Sequence, residues 1–210
     1  MAYTVKEIFY TLQGEGANAG RAAVFLRFTG CNLWTGLEKD RENAVCKFCD
    51  TDFVGVGPDG GKFQTQEELS TAVNAKWPKQ NQGKKLVVCT GGEPLLQLDE
   101  KLINALKKYG FEVAVETNGT IEAPEGIDWL CVSPKSGSEL KQMTADELKL
   151  VYPQKGAEPE IYETYLTSNF LLQPMDGIDS KLNTQSAIEY CMSNPKWKLS
   201  VQTHKILGIR

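Results

Sequence analysis

At 210 residues the chain is long enough for one hydrophobic core and too short to need a second, so a single domain over 1–210 with one active site is expected. Its 41% hydrophobic and 24% charged residues are those of a soluble globular protein, and no apolar run approaches the roughly 18 residues of a bilayer span, so no membrane role is expected. A net charge of −4 argues against a nucleic-acid groove and for a small-molecule substrate.

The opening MAYTVKEIFY lacks a basic segment, apolar stretch and cleavage site, so a cytoplasmic location is expected. In that compartment six cysteines read as metal ligands or packing rather than disulfides. AVFLRF, ending at Phe28, is the first predicted core strand. Residues 30–59, with three cysteines and a Gly-rich end, read as a long functional loop. A helix over 66–76 precedes the strand KLVVCT, ending at Thr90, and the turn TGGEP. A second helix is predicted over 99–108, where Leu102, Ile103, Leu106 and Tyr109 share a face and Gly110 suits the C-cap.

EVAVET to Thr117 and WLCVS to Ser133 are the next strands, followed by a polar stretch, 135–143, expected to be mobile. LKLVY to Tyr152, a helix over 159–166, FLLQP to Pro174, a helix over 183–192 and KLSVQT to Thr203 complete the chain. Apolar runs of this length suit parallel strands buried on both faces, and their alternation with helices predicts an α/β fold. No repeat, low-complexity tract or linker marks a second domain.

Arg27, Thr90, Glu116, Ser133 and Gln173 fall at or near strand C-termini, and His204 follows the last strand. In parallel barrels and open α/β sheets active sites assemble at that edge. His204 is equally readable as a cap of the last strand.

Cys46 and Cys49, in CKFC, can face one metal, while Cys31 approaches from the other end of the loop. Three thiolates leave one iron of a four-iron cluster open to an outside chelator. Structural zinc takes the same ligands, usually with a fourth Cys or His, so the spacing alone leaves zinc and iron–sulfur open. In TGGEP two glycines allow close backbone approach and Glu93 could receive an ammonium group, although a turn closing a βα unit explains the motif as well. Cys89, Cys131 and Cys191 sit in apolar runs or helices and read as small buried hydrophobes.

Cys31, CKFC, TGGEP, ETNGT and SPK together resemble the radical S-adenosylmethionine enzymes. YTLQGEG, FLRFTGCNLW, the fourteen-residue gap before Cys46, CDTDF and QTHK resemble more narrowly the ring-contracting branch of that family. The motifs run from residue 10 to residue 205. The resemblance implies a modified partial (β/α) barrel with an extended cluster-binding loop, usually a homodimer, and a lyase. The implied reaction converts 6-carboxy-5,6,7,8-tetrahydropterin to 7-carboxy-7-deazaguanine with loss of ammonia, on the route to queuosine. S-adenosylmethionine would be used catalytically and Mg²⁺ would assist.

By resemblance, Cys31, Cys46 and Cys49 carry a [4Fe-4S] cluster. Phe48, Cys49, Asp50, Gly92, Glu116, Asn118, Ser133, Pro134, Lys135, Gln173, Pro174, Met175 and Asp176 hold S-adenosylmethionine, and Thr51 holds Mg²⁺. Leu12, Gln13, Gly14, Glu15, Arg27, Thr90, His204 and Arg210 serve the pterin, with Arg27 suited to its carboxylate by a planar fork of donors. In some family members the chain's last carboxylate touches the substrate; here the cationic Arg210 could pair with that group or with a substrate carboxylate. A flavodoxin-type reductant is the expected partner. The alternatives are an activase of a partner protein, against which the wide first cysteine gap counts, and a zinc-stabilised binding module.

Overall fold

The computed structural model describes residues 2–81 and 83–210. Strand β1 (Tyr3–Leu12) runs antiparallel to β2 (Ala22–Phe28) and to the short β3 (Gly61–Phe63). From β2 onward every pairing is parallel, through β4 (Lys85–Gly91), β5 (Phe111–Thr117), β6 (Trp129–Val132), β7 (Glu147–Tyr152), β8 (Asn169–Pro174) and β9 (Trp197–Leu199). Among the described residues these strands form one sheet in the order β3-β1-β2-β4-β5-β6-β7-β8-β9, with both ends unpaired, so the barrel is partial. Residues from β1 to β8 nevertheless border one cavity. Laid flat, those six strand-to-strand steps would cover about 29 Å at ~4.8 Å each, so the sheet must curl around the cavity.

Helices α1 (Gln66–Lys76), α2 (Glu100–Lys108) and α3 (Ser180–Ser193) follow β3, β4 and β8. The Thr65 side chain caps α1 by accepting the Glu68 N–H, and Asp99 caps α2 by accepting from Leu102. Leu102, Ile103 and Leu106 of α2 are fully buried, each contributing roughly 2 kcal/mol, and they meet Leu69 and Val73 of α1 in the main core. Gly110 follows α2 at φ +80°, the left-handed conformation a helix C-terminus favours. On the opposite sheet face Ala23, Leu86, Val88 and Ala114 form a small floor inside the barrel. No helix among the described residues is long and apolar enough to cross a membrane.

Six of the predicted strands stand where the apolar runs place them. KLSVQT departs: its strand ends at Leu199, and the chain then turns so that Thr203 N–H donates to Gly14 O and begins α4 (Thr203–Leu207). His204 therefore sits on a helix, against Gly14. The helix expected over 159–166 is a single 3₁₀ turn, Pro159–Tyr162, because Tyr165 is buried while Ile161 and Leu166 are exposed, which leaves no helical stripe. Tyr109 leaves the α2 core face and shares a 3.0 Å hydrogen bond with the Thr71 hydroxyl. The polar stretch 135–143 is pinned rather than loose: Ser136 N–H donates to Gln154 Oε1, and Lys141 and Gln142 N–H both donate to Gly119 O.

Strand β1 was hidden in the sequence by a bulge. Val5 pairs with Phe28 and Glu7 with Arg27, so Lys6 is the extra residue and the apolar alternation slips from Tyr3 and Val5 to Ile8. The slip sets Glu7 opposite Arg27 on the cavity side of the sheet.

Candidate active site

The strand C-termini surround a cavity of about 450 Å³. Arg27, Thr90, Glu116, Ser133 and Gln173 all border it, as does His204 from α4. Of the residues assigned by resemblance, only Pro134 does not border it.

Cys31, Cys46 and Cys49 all border the cavity. Burial raises the Cys31 and Cys46 thiols above their ordinary pKa, and Cys49 beside them adds to the effect. Zn–S bonds of about 2.3 Å would draw tetrahedral sulfurs to within roughly 3.8 Å of each other. Among the described residues no three Cys, His, Asp or Glu groups converge on a single metal ion. Three thiolates facing the cavity would leave one iron of a four-iron cluster open to an outside chelator. Cys89 and Cys131 are buried core residues, and Cys191 packs partly buried against the core.

The glycines of the TGGEP turn have a packing role. A Cβ on Gly91 would collide with Phe28 O and one on Gly92 with Gly30 O, so the two glycines let the β4 exit lie directly against the backbone leading to Cys31. Glu93 N–H donates to Gly30 O at 2.9 Å. The Glu93 carboxylate is turned inward, where it accepts from Thr117 Oγ1 at 2.7 Å, Asn118 N–H at 2.8 Å and Leu95 N–H at 3.0 Å. It joins the ends of β4 and β5 and is fully buried, so no ammonium group meets it from the cavity.

Gln13, Glu15 and Glu116 meet in the cavity around a lysine that the sequence reading missed. Lys149, on β7 and almost fully buried, donates to Glu15 Oε2 at 2.5 Å and to Glu116 Oε2 at 3.2 Å. Gln13 Nε2 donates to Glu116 Oε1 at 2.8 Å while Gln13 Oε1 accepts the Glu15 N–H, so both ends of this amide are engaged by the protein. Gln202 Nε2 donates to Glu15 Oε1 at 2.9 Å. Burial alone would raise the Glu15 pKa, but the Lys149 charge and the hydrogen bonds from Lys149, Gln202 and Gln173 bring it down to about 2. Burial likewise disfavours the Lys149 cation, and Glu116 and Glu15 overcome this to hold its pKa well above the ordinary lysine value.

Along β1 and β2, Arg27 Nε donates to Glu7 Oε1 at 2.8 Å, and its two Nη atoms make no hydrogen bond among the described residues. Glu7 Oε2 accepts from Arg210 Nη2 at 2.6 Å, and Arg210 Nη1 donates to Asp59 Oδ2 at 2.9 Å. Arg210 thus pairs with carboxylates of the protein, and its guanidinium lies 4.5 Å over the Phe9 ring, which stacks on Phe25 at 5.4 Å. Lys205 Nζ bridges Asp50 and Asp176 at 2.6 Å each, and Lys6 Nζ takes Asp52 at 2.7 Å. Lys135 donates to Ser133 O and Oγ at 2.6 and 2.7 Å. Lys6, Lys149 and Lys205 escaped the sequence reading. Only Lys205, inside QTHK, carried a signal that could have found it.

The model of the Radical SAM superfamily matches residues 41–151, and Cys31 lies ahead of the matched segment. A 7-carboxy-7-deazaguanine synthase of Caulobacter vibrioides is 60% identical over 210 residues, 100% of each chain. One from Bradyrhizobium diazoefficiens is 60% identical over 211 residues, again 100% of each. Among solved structures, the crystal structure of QueE from Escherichia coli is 25% identical, with a TM-score of 0.68 over 96% of this chain and 94% of that one. End-to-end identity at this level carries the motif-based resemblance through the whole chain: it belongs to the 7-carboxy-7-deazaguanine synthase family of the radical SAM superfamily.

Proposed function

We propose that this chain contracts 6-carboxy-5,6,7,8-tetrahydropterin to 7-carboxy-7-deazaguanine, with release of ammonia. The observation that carries the reading is the convergence, in one cavity, of three cysteines, Arg27 and the Glu15–Lys149–Glu116 group.

Cys31, Cys46 and Cys49 would hold the [4Fe-4S] cluster. Phe48 to Asp50, Gly92, Asn118, Ser133, Lys135 and Gln173 to Asp176 would hold S-adenosylmethionine against it. When bound, this pair supplies the one-electron chemistry that begins hydrogen abstraction from the substrate and allows S-adenosylmethionine to be regenerated. Leu12, Gly14, Thr90 and His204 line the space left for the pterin.

Glu7 fixes one edge of Arg27, so that its two Nη donors point a rigid fork at a substrate carboxylate. Glu15, held as a carboxylate by Lys149, and Glu116 on the other side of that lysine offer acceptors to the N–H-rich edge of a pterin. Lys149 keeps its proton and acts as a fixed charge rather than as a proton donor. Thr51 would take part in binding Mg²⁺. Its neighbours Asp50 and Asp52 are already paired with Lys205 and Lys6, so the ion would need oxygens from the substrate and water.

A flavodoxin-type protein is the expected reductant. A homodimer is the expected assembly, supported by the exposed apolar side chains Ile178, Leu182, Ile206 and Leu207, and light scattering would test it. The decisive experiment for the reaction is anaerobic incubation with the tetrahydropterin, dithionite, S-adenosylmethionine and Mg²⁺. Mass spectrometry should find 7-carboxy-7-deazaguanine; its absence from a protein that still cleaves S-adenosylmethionine would reject the substrate.

A further inference from the structure

We propose that Arg41 is a positioning residue that holds the Cys46–Cys49 turn in cluster-binding shape, and that the long gap between Cys31 and Cys46 exists to supply it. The gap folds as a closed loop. Val45 and Cys46 N–H both donate to Leu33 O, at 3.1 and 3.3 Å, so the chain leaves and re-enters at one point. Trp34 plugs the base of the loop: it is 8% exposed, its ring meets the edge of Phe53 at 5.6 Å, and Nε1 donates to Leu37 O.

A 3₁₀ turn, Glu38–Asn43, then carries Arg41 back over this plug, with its guanidinium carbon 4.0 Å from the centre of the Trp34 ring. From there Nη1 donates to the main-chain carbonyls of Lys47, at 2.8 Å, and Cys49, at 3.1 Å. Among the described residues neither carbonyl accepts any other hydrogen bond. Glu38 fixes the far edge of the guanidinium through both carboxylate oxygens at 2.8 Å. The geometry is that of a clamp. A flat cation is stacked on a buried indole, and one of its nitrogens spans the two carbonyls of the turn that carries two of the three thiols. Lysine has no plane to stack and no fork to share between Glu38 and the turn.

The proposal rests on the cluster reading and not on the identity of the pterin, so its test is iron retention. The full-length protein is reconstituted anaerobically with iron and sulfide, and loss of iron to bathophenanthroline is timed well below the unfolding temperature. Arg41→Ala should lose iron roughly 10- to 100-fold faster than the parent, the usual cost of removing a partner that orients metal ligands. Arg41→Lys should lose it nearly as fast, and the unfolding midpoint of the cluster-free protein should stay unchanged in both. Parental rates in the variants, with full iron and sulfide content, would overturn the proposal, as would faster loss matched by a lowered midpoint. If Arg41→Ala does not fold, Arg41→Lys decides alone. A parent chain that takes up no iron and sulfide would instead bring down the cluster reading, and this proposal with it.

Discussion

Lys149 shows how a single buried cation sets the chemistry of a site. It pairs with both Glu15 and Glu116 and keeps Glu15 ionised; without it Glu15 would meet only amides in a buried setting that favours the neutral acid. Lowering the Glu15 pKa from 4.5 to about 2 gives a contribution to stability that is complete above about pH 4.5 and is lost as the pH falls toward 2. Lys149→Met should reverse the sign, because burial would then raise the Glu15 pKa and penalise the folded state where the carboxylate is charged. The variant's deficit should be about 3 kcal/mol or more at pH 7 and should shrink toward pH 4, as urea unfolding at the two pH values would show. A deficit that stays constant with pH would contradict this role. Arg27 makes a second prediction: Arg27→Lys should lower kcat/KM for the carboxylated pterin by about 10- to 100-fold, the worth of a charged hydrogen bond, while cluster content is unchanged. Arg27 was legible because a cation at the end of an apolar strand has little reason to be there except a site. Lys149 was not: it lies in mid-strand within LKLVY, away from the C-terminal edge where a site was sought, and only the neighbouring strands show that its side chain points into the barrel.

At the scale of elements, the sequence announced the parallel strands because their apolar runs are buried on both faces, and α2 because its apolar stripe agrees with the glycine that follows it. Elements that owe their shape to partners were less visible. The bulge at Lys6 breaks the period of β1, β3 is three residues long, and β9 stops where Ser200 N–H finds Leu172 O. Asp99 joins both kinds of information, since its Oδ1 accepts the Leu102 N–H and also the hydroxyl of the buried Tyr3 on β1. Asp99→Ala removes the cap and leaves the Tyr3 hydroxyl unsatisfied, which should cost about 2 kcal/mol in urea unfolding without lowering the iron content. Gly92→Ala should do the opposite. Its Cβ would push the β4 exit off Gly30 and Cys31, so reconstituted iron should fall well below that of the parent chain while the distant core keeps most of its stability.

For the molecule as a whole, the cavity is bordered by the segment that the sheet no longer needs. Strand β9 ends the sheet, α4 buries no residue, and the last eight residues are held almost entirely by polar ties. Thr203 bonds Gly14 after β1, Lys205 joins Asp50 of the cysteine loop to Asp176 after β8, and Arg210 reaches Glu7 and Asp59 while its carbonyl accepts from Thr11. These ties cross from one wall of the partial barrel to the other, where a full barrel would have further strands. Exposed ion pairs of this kind add little to stability, but a strap across the mouth excludes water, which a reactive carbon-centred species requires. Removing residues 203–210 should therefore leave the unfolding midpoint within a few degrees of the parent and the cluster in place. Deazaguanine formation should fall at least tenfold while S-adenosylmethionine cleavage continues, so that cleavage per product rises. A truncated protein that still couples one to the other as tightly as the parent would show that the strap does not guard the reaction.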